Sequence, residues 1–85
     1  MPLDPLPDWL TARRQQVGAR IRAARTHAGL TQLELGNRIG RDHRTIHRWE
    51  YGQRVPSLDD LLLLADATGI QPQDLFQQPA AGPQG

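Results

Sequence analysis

Four glycines, Gly29, Gly40, Gly52 and Gly69, cut the middle of this chain into short pieces. Each follows a run with helical apolar spacing, and three are followed by a good N-cap residue: Thr31, Asp42 and Ser57. Glycine reaches the left-handed backbone conformation that ends helices, while Thr, Asp and Ser side chains accept hydrogen bonds from the free N–H groups of the next start. A chain punctuated in this way has little choice but to fold as short helices with short connections. The spacing predicts a first helix opened by Asp8 after Pro7, with apolar positions Trp9, Leu10, Val17, Ile21, Ala24 and Ala28, and stopped by Gly29. A second helix, roughly Gln32 to Ile39, is opened by Thr31 with Glu34 completing a capping box. Asp42 caps a third that runs to about Tyr51, and Pro56 and Ser57 open a fourth from Leu58 to about Thr68. A last turn is expected at Pro72 to Phe76. No stretch alternates apolar and polar residues as a half-buried strand does. The fold class is all-α, a compact bundle of about five short helices.

The 85 residues suit one small domain. Residues 1–8 read as an N-terminal arm, 9–76 as the folded domain, and 77–85, QQPAAGPQG, as a disordered tail. There is no cysteine, hence neither a disulfide framework nor a thiolate metal site. The start, MPLDPLPDWL, has neither the basic residues nor the apolar run of a signal peptide, and no segment approaches the roughly 20 apolar residues that span a bilayer. The expectation is a soluble, cytoplasmic protein that does not engage a membrane.

Net charge is only +1, but its distribution is uneven. All ten arginines lie between Arg13 and Arg54 with three acids among them, whereas six aspartates and no base lie outside that segment. Such asymmetry points to one surface that faces a polyanion. The third helix carries its focus. At about 100° per residue, Thr45, Ile46, Trp49 and Glu50 fall on one side, and His43, Arg44, His47, Arg48 and Tyr51 on the other. Two short helices joined at Gly40, the second showing a basic face, match a helix-turn-helix arrangement.

From about Val17 to Phe76 the chain resembles the phage-repressor helix-turn-helix family, the Cro, lambda-repressor and XRE type. The residues that carry the resemblance are GLTQLELGNRIG, DHRTIHRWEYGQRVPSLDDLLLLA and GIQPQDLF. It implies a sequence-specific double-stranded DNA-binding transcriptional regulator, expected to act as a repressor. His43, Arg44, His47 and Arg48 would face base edges in the major groove. Gln32, Thr45, Gln53 and Arg54 would contact phosphates, Gln32 also bracing a side chain of the reading helix. Arg25 and Glu50 would form an internal ion pair. The chemistry agrees with the base-reading role, since Arg gives two parallel hydrogen bonds to guanine O6 and N7, and His can donate to the same acceptors. The chain departs from the family pattern at Gly36, Arg41 and Thr68, where a small Ala, a small apolar residue and a Leu are usual.

Other readings weigh less. His43 and His47 stand at i, i+4, a spacing that can hold a metal, but no third ligand accompanies them and Arg44 and Arg48 would repel a cation. No metal and no cofactor is expected. Ser57 is the only serine and serves as a cap, and no carboxylate pair is framed by an apolar pocket, so no catalysis is expected. Arg13, Arg14, Arg20 and Arg22, spread around the first helix, read as solvated. The run Leu61 to Leu64 cannot be buried on one face. Leu58, Leu61, Leu62 and Ala65 are expected inward, Leu64 at the margin and Leu63 outward, covered by Leu3, Leu6 and Trp9 of the arm or by a second subunit. A homodimer on DNA is expected, with Leu63, Leu75 and Phe76 as candidate contacts. The alternative function is a protein-interaction module, such as an antitoxin or adaptor, using the same fold.

Overall fold

The computed structural model describes residues 5–77, so expectations about most of the arm and of the tail lie outside the described residues. Among the described residues four α-helices and a 3-10 turn follow one another: α1 (Asp8–His27), α2 (Gln32–Ile39), α3 (His43–Glu50), α4 (Leu58–Thr68) and the turn Pro72–Phe76. Helix α1 is the frame. It packs against α3, α4 and the 3-10 turn, while α2 lies against α3 and α4. The core is aliphatic apart from Trp49, with Ile21, Leu35, Ile46, Leu64 and Leu75 fully buried at its centre.

The starts and stops are local events. Thr31 Oγ1 accepts from Glu34 N–H at 3.0 Å and Glu34 Oε1 accepts from Thr31 N–H at 2.9 Å, a complete capping box. Asp42 Oδ1 accepts from Arg44 N–H at 2.7 Å, opening α3. Ser57 Oγ accepts from Asp60 N–H at 3.1 Å, and Asp60 Oδ2 returns the bond to Ser57 N–H at 3.1 Å. At the end of α1, Leu30 N–H reaches Arg25 O and Gly29 N–H reaches Thr26 O, the double bond pattern that a left-handed glycine closes.

Four expectations are corrected. Asp8 is the first residue of α1 and not its cap; Pro7 takes the extended cap position and its side chain offers no acceptor. Leu64, not Leu58 or Leu62, is the buried leucine of α4, at 1% exposure against 68% and 47%. The helix is turned so that Leu64 and Ala65 meet the core, leaving Leu61 half-buried and Leu62 and Leu63 in solvent with Asp59 and Asp66. Leu75 is unsuited to a dimer surface, because the 3-10 turn folds it into the core against α1 and α4, where only 1% remains exposed. Trp9, expected on the apolar face of α1, is 66% exposed; it lines a groove with Val17, Val55, Leu61 and Phe76 and does not cover Leu63.

Two close approaches fix where α3 lies. A Cβ on Gly18 of α1 would stand 2.5 Å from the carbonyl oxygens of both Trp49 and Glu50. A Cβ on Gly36 of α2 would collide with the carbonyl oxygen of Arg41 in the turn before α3. Glycine is needed at each place because main-chain atoms occupy the space of a side chain. The turn itself is held by Arg41, whose Nη2 and Nε lie 2.8 and 3.0 Å from Asp60 Oδ1. The departure of Arg41 from the family pattern therefore creates a link from the α2–α3 turn to the start of α4. Thr68, the other departure, returns its hydroxyl to Leu64 O at 2.7 Å.

Candidate nucleic-acid interface

Ile46 and Trp49 are buried, so the opposite side of α3 must face outward. His43, Arg44, His47 and Arg48 are all exposed there, and with Gln32 and Gln53 they rim one open hollow. Thr45 is half-buried at the side of the helix. The chain after Gly52 folds back on the end of α3, with Gln53 N–H at 2.8 Å and Arg54 N–H at 3.3 Å from Arg48 O. Both side chains are exposed beside the helix end.

The histidines differ in their surroundings. His43 Nδ1 is 3.6 Å from Asp42 Oδ1, an open contact between two exposed groups. His47 is held from two sides. Its ring packs on Tyr51 with centroids 4.7 Å apart at a tilt of 39°, and its Nδ1 is 3.4 Å from Gln32 Nε2. Tyr51 in turn accepts from Arg22 Nη1 at 3.2 Å, and the guanidinium carbon lies 5.6 Å from the ring centre. Arg22 is thus tied to the end of α3, and Arg20 bonds Asp74 O and Gln77 Oε1 at 3.3 and 3.2 Å. Neither is merely solvated.

Beneath this face runs a buried polar chain. Arg25 Nε and Nη2 donate to Glu50 Oε2 and Oε1 at 2.6 and 3.1 Å, and Arg25 Nη1 donates to Leu30 O at 2.8 Å. Gln32 Nε2 donates to Glu50 Oε1 at 3.1 Å. The Glu50 side chain is 0% exposed and that of Arg25 12%. The hydrogen bond to Glu50 raises the guanidinium pKa above its ordinary value, against a smaller opposing effect of burial. One network therefore joins α1, the start of α2 and the end of α3.

Sequence reasoning missed Gly18 and the Arg41–Asp60 link. The signal for the second was present: Asp60 follows Ser57 at the spacing of a capping box, which places its carboxylate at the start of α4. Of the candidate dimer contacts, Leu63 is 42% and Phe76 51% exposed. Among the described residues no helix is long and apolar enough to cross a membrane.

Comparison with known proteins bears on this geometry. A family profile described as "Helix-turn-helix domain" matches residues 16–77, most of the chain. The chain belongs to this helix-turn-helix family. The matched segment runs from the middle of α1 through the 3-10 turn and includes every exposed basic side chain of α3. This helix-turn-helix protein is also 40% identical to the restriction-modification controller protein C.AhdI from Aeromonas hydrophila, over 76% of this chain and 98% of that one, with a TM-score of 0.73. A hypothetical transcription factor, NHTF from Neisseria, shares the fold at a TM-score of 0.74 and 24% identity, over 93% of this chain and 90% of that one. The search of curated proteins gave no match. The helix-turn-helix protein is a DNA-binding transcriptional regulator of the phage-repressor type.

Proposed function

We propose that this regulator binds double-stranded DNA sequence-specifically, as a repressor, by inserting α3 into the major groove. The observation that carries the reading is the arrangement on α3: four exposed basic or imidazole side chains on one face, and Ile46, Trp49 and Glu50 anchored on the other. Arg44 and Arg48 would read guanine edges, with His43 and His47 supplying single hydrogen bonds. Thr45, Gln53, Arg54 and the start of α2 at Gln32 would set register on phosphates. The working form would be a homodimer on two half-sites about 34 Å apart, the spacing of one helical turn. Leu63 and Phe76 are the exposed candidates for its contacts. The protein would act in the prokaryotic cytoplasm, neither as an enzyme nor with a cofactor. Its 40% identity to a restriction-modification controller suggests that its operators control genes of that kind.

Selection of bound sequences from a random DNA pool tests DNA binding, half-site symmetry and spacing together. Two related half-sites about one turn apart are expected; an unenriched pool would overturn the reading. The protein-interaction alternative rests on the exposed Leu62 and Leu63 of α4. A Leu63→Lys variant that keeps its sedimentation and partner binding would remove that surface from consideration.

A further inference from the structure

The polar chain under α3 does more than hold the helix, because each member limits what the next can do. An ionised carboxylate only accepts hydrogen bonds. Glu50 is ion-paired with Arg25 through both oxygens, so the Gln32 atom 3.1 Å from Oε1 must be the amide nitrogen. That nitrogen carries two hydrogens and no usable lone pair. One hydrogen goes to Glu50, and the other faces His47 Nδ1, which lies 3.4 Å from the amide nitrogen. Nδ1 must therefore be the accepting nitrogen of the neutral ring, which leaves the hydrogen on Nε2. The Tyr51 ring against the imidazole keeps it from turning away.

Beyond the brace that the family resemblance implies for Gln32, we infer that the chain Arg25, Glu50, Gln32 fixes the tautomer of His47, making it an Nε2–H donor with Gln32 as the positioning residue. The inference rests on the reading of α3 as the major-groove helix. It deepens that reading in two ways. First, His47 can satisfy only a base edge that offers an acceptor: a purine N7, guanine O6 or thymine O4. An amino group of adenine or cytosine facing it would leave two donors opposed. Second, both amide hydrogens of Gln32 are taken up within the protein, one by Glu50 and one by His47, so its side chain has none left for a phosphate oxygen. A phosphate contact at Gln32 has to come from its main-chain N–H in the first turn of α2, where N–H groups have no partner within the helix.

The test uses the full chain and Gln32→Met, which keeps the length of the side chain and removes its hydrogens. Nitrogen-15 spectra of the imidazoles report the tautomer without DNA. Wild type should show His47 as a single Nε2–H form, and Q32M should shift toward the mixture of an unrestrained imidazole. A wild-type ring carrying its hydrogen on Nδ1, or a Q32M spectrum identical to wild type, overturns the inference within the protein. Binding to the selected operator and to each single-base variant supplies the second readout. Q32M should reduce discrimination at one base pair by about tenfold, losing more affinity for the operator than for unrelated DNA. A uniform loss on operator and unrelated DNA alike would mark the Gln32 side chain as a phosphate ligand and overturn the inference. Base preferences unaltered by both Q32M and His47→Ala, beside a tautomer that Q32M scrambles, would overturn it at its DNA end and locate the failure in the α3 reading. Far-ultraviolet circular dichroism confirms that each variant is folded before either comparison.

Discussion

Removing either partner of the buried ion pair should destabilise the domain, and the two losses should be unequal. Arg25→Ala leaves a carboxylate whose side chain is 0% exposed and whose remaining side-chain partner is Gln32 Nε2 at 3.1 Å. Glu50→Ala leaves a guanidinium that is 12% exposed and still donates to Leu30 O at 2.8 Å, so water and a carbonyl recover part of its solvation. Breaking a buried pair costs about 3–5 kcal/mol. By this asymmetry Arg25→Ala belongs near the upper end, about 4–5 kcal/mol, and Glu50→Ala near the lower, about 3 kcal/mol. At about 4–8 °C per kcal/mol for a domain of this size, Glu50→Ala should lower Tm by roughly 12–24 °C. The double variant Arg25→Met with Glu50→Leu removes both charges and should recover most of the loss. Urea and thermal unfolding followed by circular dichroism, with the buried Trp49 as a second probe, measure all three. Equal costs for the two single variants, or a cost below about 1 kcal/mol for Arg25→Ala, would refute the argument from unequal burial.

Gly36→Ala gains about 1 kcal/mol of helix propensity but sets a methyl against the Arg41 carbonyl, and overpacking of about 1–3 kcal/mol should leave the variant less stable in urea. At Asp60, burial raises the carboxyl pKa, but the Ser57 hydrogen bonds and Arg41 outweigh it and the net shift is downward. Its contribution is present above the ordinary aspartate range and lost as pH falls through the lower folded value, so Asp60→Asn should flatten the acid side of the stability curve; an unchanged curve refutes this. Arg44→Ala and Arg48→Ala should each weaken operator binding by about 1–3 kcal/mol and relax one base preference without changing Tm. Log affinity should fall steeply with log salt; a slope near zero would remove the phosphate contacts from the account.

The helix boundaries were legible because they depend on neighbours three or four residues apart. Thr31 with Glu34, Asp42 before His43, and the left-handed glycines act through local hydrogen bonds that the order of residues specifies directly. The orientation of α4 was not. Four successive leucines present almost every direction, and the one that enters the core is chosen by what packs against it, here Ile21, Leu75 and the rest of the centre. Arg41 with Asp60 and Gly18 with the end of α3 are likewise contacts across 19 residues or more, which no local period encodes. The outward face of α3 was legible because Ile46 and Trp49 must be buried. Which atoms of that face carry hydrogens was not, since it depends on a chain that begins on α1.

The two glycine contacts have a consequence for how errors in the operator are handled. The carbonyls at the end of α3 and in the turn before it rest against Gly18 of α1 and Gly36 of α2, where there is no side chain that could change rotamer to make room. A slide or tilt of the helix toward α1 or α2 to follow a wrong base would meet main chain at these two places. A mismatched site has to bend toward the protein at its own elastic cost, or leave a hydrogen bond unmade. Tolerance for imperfect sites would then be written in the stiffness of the DNA, and flexible steps flanking the contacted bases would decide which near-matches are still occupied.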